Sequence, residues 1–181
     1  VTTSPWDPAH VRARLAWTMQ EAIQPAALIV DDTGFLKDGD ASACVSRQYT
    51  GTAGKVTNCQ AGVSLHLADD HASAAIDWRL FLPASWDPSS PQADAAKLAR
   101  RVQFWLSNLP SGTPLTTLVR LAKLRWRIEH DYREMKQALG LANFEGRTWN
   151  GWHHHVTLVS AAHAFCTLQR LARAPKEAAP D

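Results

Sequence analysis

A chain of 181 residues, 45% hydrophobic and 20% charged, has the size and composition of one soluble globular domain able to bury a real core. Its formal net charge of +2 and isoelectric point near 8.6 are compatible with nucleic acid but no argument for it. No apolar run approaches the roughly 20 residues that span a bilayer, so a membrane segment is excluded.

The opening "VTTSPWDPAHVRARLAW" lacks the charged-then-apolar layout of a secretory signal. Cys44, Cys59 and Cys166 are widely spaced, with no CxxC pair for zinc or redox work. An odd count without a signal points to reduced thiols in a cytoplasm. Of the eight tryptophans most read as core, and some could stack on bases.

In chain order, residues 7 to 22 read as a helix, with Asp7 as cap and Pro8 in the first turn. The apolar run Ala27 to Val30 reads as a buried strand that stops at a turn after two aspartates. "GTAGK", residues 51 to 55, is too short for a Walker-type phosphate loop and reads as a turn. "AGVSLHLA" and "AIDWRLFLP" are strand-like, and the loop between them carries Asp69, Asp70 and His71. A three-stranded antiparallel meander from Ala27 is the economical arrangement.

A linker and short helix follow through about Arg101, then "VQFWLSNLP" as a further strand. A long helix starts at Thr113 as cap, with Pro114 in its first turn and Gly140 at its end. The last helix runs from about Trp152 to Arg173, leaving a frayed tail over 174–181.

The long helix holds "RWRIEHDYREMK", residues 125 to 136. At 100° per residue, Arg125, Glu129 and Lys136 fall within roughly 40° of one another. Leu118, Leu121, Leu124, Ile128, Tyr132, Met135 and Leu139 form the adjoining core face, so the three charges line its shoulder. Lys123, Arg127, His130 and Glu134 lie on the far side, which reads as solvated. An i,i+4 pair of Arg125 and Glu129 would stabilise the helix by about 0.2–0.5 kcal/mol. Lys136 then needs a further partner, and a groove holding phosphate and a metal supplies one.

Arg125, Glu129 and Lys136, with Trp126 and Ile128 between, resemble the Tyr-Arg-Glu-Lys signature of bacterial insertion-sequence DDE transposases. The Tyr position is Ala122 here, which removes one expected phosphate or DNA contact, and Tyr132 cannot replace it by spacing. The stretch "LIVDDTGFLKDGDASACVSRQYTGTAGKVTNCQAGVSLHLA" resembles the family's first catalytic-strand region. "FEGRTWNGWHHHVTL" resembles the segment after the Glu helix.

The resemblance implies an α/β, RNase H-like fold: a mixed sheet flanked by helices, here one domain over 1–173. It also implies Asp31 as first acid, with Asp32 the second choice, and Glu129 as third, both holding Mg²⁺ or Mn²⁺. Arg125, Lys136 and Arg147 become phosphate ligands, and Trp126 and Trp149 surfaces for a flipped base.

The family's second Asp has no matching context. Asp87 and Asp94 sit in polar linker or helix sequence, and Asp77 opens a strand and is structural. The resemblance therefore implies an internal deletion with a junction near residues 82–102, an N-terminal truncation, and loss of the central strand bearing that acid. Two-metal chemistry needs three carboxylates, so the expected protein is a transposase with impaired cutting. The rival reading is a non-catalytic DNA-binding or oligomerising remnant. Partners on either reading are DNA (element ends and target), a second copy, or an intact transposase. His153, His154 and His155 point about 100° apart on a helix and cannot converge on one ion.

Overall fold

The computed structural model describes residues 5–39, 41–86, 110 and 112–173. Most of the expected linker and short helix (87–101), the strand "VQFWLSNLP" up to residue 109, the tail, and Asp87 and Asp94 lie outside these residues. Among the described residues no helix is long and apolar enough to cross a membrane.

Helix α1 runs Pro8–Ile23, and Asp7 caps it by accepting the Ala9 N–H at 2.8 Å. Strand β1 spans Ala27–Leu36, β2 Ser46–Thr50, β3 Lys55–Ala68 and β4 Ser73–Leu80. Among the described residues the sheet has four strands where the sequence predicts a three-stranded meander, and "RQYT" supplies the extra one. The expected turn does link β2 to β3, with Gly54 at φ 63°, a backbone state glycine adopts without steric cost.

The first strand does not stop at Val30. It continues through both aspartates, because the whole of β1 from Ala27 to Leu36 pairs antiparallel with β3 from Ala68 to Cys59. Ladder hydrogen bonds over ten residues outweigh the poor strand propensity of two acids.

β3 is the spine of the sheet. β1 lies along one edge, while β2 and β4 follow one another on the other. Every described pairing is antiparallel, and among the described residues β1 has no strand on its outer edge. A register shift between Leu65 and His66 relative to β4 inserts an extra residue there. That puts Ala75 and Trp78 on one face together although their spacing is odd.

Among the described residues two further α-helices follow, α2 over Leu115–Gln137 and α3 over Trp149–Arg173. Thr113 does not cap α2, since its hydroxyl donates to the Pro110 carbonyl at 2.6 Å. The main core joins Phe35, Trp78 and Leu80 of the sheet to Leu124, Ile128, Tyr132 and Met135 of α2 and Trp152, Val156 and Val159 of α3. Trp78 and Trp152, buried with ring centroids 6.3 Å apart, each contribute roughly 4–6 kcal/mol at most by area. On the opposite face Met19 and Ile23 of α1 meet Leu67, Ala74, Ile76 and Ala164. A sheet flanked by helices is the α/β arrangement expected, and it is consistent with an RNase H-like fold.

Candidate functional site

Alternation along β1 sends Ile29, Asp31, Thr33 and Phe35 toward α2, and Leu28, Val30 and Asp32 away from it. Asp31 and Asp32 therefore face opposite sides of the sheet, and Asp31 is the one that faces the helix. Its carboxylate accepts a hydrogen bond from Arg125 at 3.2 Å and is 11% exposed.

Eleven residues on, Lys136 spends its three protons on β1 and the β2–β3 turn. They go to Thr33 Oγ1 at 2.7 Å, Gly34 O at 3.1 Å and Thr52 Oγ1 at 3.1 Å. Burial lowers the Lys136 pKa from its ordinary value, yet three acceptors hold its charge. Between these two cations Tyr132 OH meets Ser64 Oγ at 2.6 Å, and Ser64 is the register partner of Asp31.

Arg125, Glu129, Tyr132 and Lys136 share one stripe of α2. Three of the four grip the strands around Asp31. Glu129, the fourth, is exposed and stands on that stripe between Arg125 and Tyr132. Among the described residues no three carboxylate, His or Cys side chains gather as a metal site.

The remaining expected residues are less tightly held. Trp126 is 68% exposed, with its ring 5.9 Å from that of His130, beside a shallow depression lined by Ser73, Arg127 and Asp131. The Arg147 side chain is exposed, while its carbonyl accepts from Ala43 N–H at 3.1 Å. Arg120 and Arg127, also in the basic run, are drawn to Asp70 of the β3–β4 loop.

The far side of α2 is not solvated throughout. Glu134 pairs with Arg170 and lies 3.5 Å from His163, because α3 packs there. The three consecutive histidines go to three places. His153 lies between Trp149 and Trp152, His154 on Trp6, and His155 on the Leu141 carbonyl.

A family model for DDE superfamily endonucleases matches residues 1–140. The chain belongs to this family. Over 68 residues, 36% of its length, it is also 40% identical to a Microchaete diplosiphon protein named "Probable transposase for insertion sequence element IS701". The match covers 18% of that relative. No solved structure matches. Around the stripe of α2, the residues that sequence reasoning did not mark are Thr33, Thr52 and Ser64, which meet Lys136 and Tyr132. Small hydroxyl residues on strands carry no pattern of their own, and only pairing with β1 reveals them.

Proposed function

We propose that this DDE family member is a protein of DNA transposition whose own strand cleavage is impaired. One observation supports it most: Arg125 and Lys136 leave the Glu129 stripe of α2 and bond Asp31 and Thr33 on β1. Asp31 and Glu129 are the carboxylates that would hold Mg²⁺ or Mn²⁺. Two carboxylates fit one such ion, whose other positions water can fill, but not the pair of ions that three acids hold. When bound, that ion supplies charge neutralisation at the phosphate under attack.

The chain's own residues then do the positioning. Arg125 offers its guanidinium from the edge of Asp31 to a phosphate oxygen. Lys136 exchanges one hydroxyl acceptor for another, and Arg147 and Trp126 extend the contact along the strand. Element ends and target DNA are the proposed substrates. A second copy or an intact transposase is the proposed protein partner, in a cytoplasmic setting.

The second reading, a DNA-binding or oligomerising remnant without cleavage, is favoured by Arg125 sitting on Asp31 where a cation would otherwise balance it. Nicking of supercoiled DNA with element ends, at varied salt and with Mg²⁺ or Mn²⁺, separates the readings. The expected result is binding that weakens steeply with salt, with little or no nicking. Efficient metal-dependent nicking that Glu129→Gln abolishes would refute the impairment, and absence of binding would refute the role on DNA.

A further inference from the structure

Ser64, His66, Ser73 and Asp131 are all buried, and with Tyr132 they make one connected polar chain. Asp131 Oδ1 accepts from Ser73 at 2.9 Å and its Oδ2 lies 3.3 Å from His66 Nδ1. His66 Nε2 lies 2.9 Å from Ser64 Oγ, which lies 2.6 Å from Tyr132 OH. A carboxylate accepts, so Asp131 takes the proton that His66 directs to it from Nδ1, while Ser64 Oγ, beside His66 Nε2, also donates to the Asp31 carbonyl at 3.4 Å. Ser64 in turn accepts from Tyr132. Burial pushes the Tyr132 hydroxyl well above its ordinary pKa, so it remains a donor.

The Ser64–His66–Asp131 order is that of a nucleophile relay, but no substrate can reach a serine 1% exposed. Stability does not explain it either, because apolar residues of equal volume bind as well without the cost of burying a charge. What the chain does supply is register. Asp131 and Tyr132 are successive on α2 and lie 100° apart around it. They meet Ser64 and His66, two residues apart on one face of β3. Two anchors at different angles stop the helix from rolling or sliding, where one would not.

We propose that Ser64, His66, Asp131 and Tyr132 are positioning residues that set the register of α2 on the sheet, and so the approach of Glu129 to Asp31. The inference rests on the reading of those two acids as a pair. Its test is the rate at which dibromobimane, which fluoresces only after bridging two thiols, links an Asp31→Cys, Glu129→Cys chain. The native chain, with Cys44 and Cys59 buried and Cys166 half-buried, and the two single variants Asp31→Cys and Glu129→Cys give the background.

Adding Asp131→Asn or Tyr132→Phe to that pair slows bridging by about tenfold or more, since misplacement by an ångström can cost a proximity-limited reaction about a hundredfold. Adding Met135→Leu, a core change one turn away, lowers the melting temperature without slowing it. Thermal melts identify the chains that fold, and if Asp131→Asn does not, Tyr132→Phe decides alone. Unchanged bridging in the folded variants overturns the inference. No bridging in the starting pair overturns the Asp31–Glu129 reading, and the inference with it.

Discussion

Gly34 is where the candidate site tolerates least. A Cβ there would stand 1.9 Å from Thr50 Oγ1, and Thr50 belongs to the hairpin whose Thr52 donates to the Gly34 carbonyl. The same carbonyl accepts from Lys136, so one glycine lets β1, the β2–β3 turn and α2 close together. Gly34→Ala must push the hairpin outward, and we expect a loss of about 2 kcal/mol as for other overpacked sites, read as a lower urea midpoint. A midpoint equal to the native one would mean that the hairpin swings away freely. Lys136 was legible in the sequence as a shoulder charge in need of partners. The partners themselves were not, since they arrive from β1 and a turn more than 80 residues away.

At the scale of elements, α3 holds α1 through polar as well as apolar contacts. Arg12 donates to Thr157 Oγ1 at 3.2 Å and pairs with Asp77 of β4 at 2.6 Å. His153 lies beside this pair, and burial, then Arg12 and Arg79, lowers its pKa from 6.5 to about 4. As pH falls, the unfolded chain takes up this proton first. The contribution to stability is thus complete above about pH 6.5 and lost progressively toward pH 4. Burial shifts His155 and His163 the same way. Urea midpoints should drop across that window, and His153→Gln should flatten part of the drop; an unaltered profile would assign it to other groups.

Elements with strong periodicity or caps, α1 and α2 above all, could be read from the sequence. β2 could not, because five residues with an arginine and a glutamine gain their strand character only from β3. Asp131 read as one of the charges interleaved along the helix, and it is buried because β3, β4 and α3 bring His66, Ser73 and His163 to it.

For the molecule as a whole, the outer side of β1 is the least finished surface. Leu28 and Val30 are 65% and 68% exposed, beside an edge that no described strand covers. Exposed apolar edges of this kind pair with other chains. Val30→Lys should leave the thermal midpoint nearly unchanged while reducing light scattering in concentrated solution, and equal scattering would clear this edge of blame. The expected loss of a central strand would leave such an edge, which is why fold class was readable while completeness was not. The clamp between the first and last helices matters in another setting. Met19 and Ile23 dock partly on Ala164, and Arg12 on Thr157, so a ribosome releases the first helix long before its berth exists. Throughout translation of the intervening sheet this segment must wait with Met19 and Ile23 undocked.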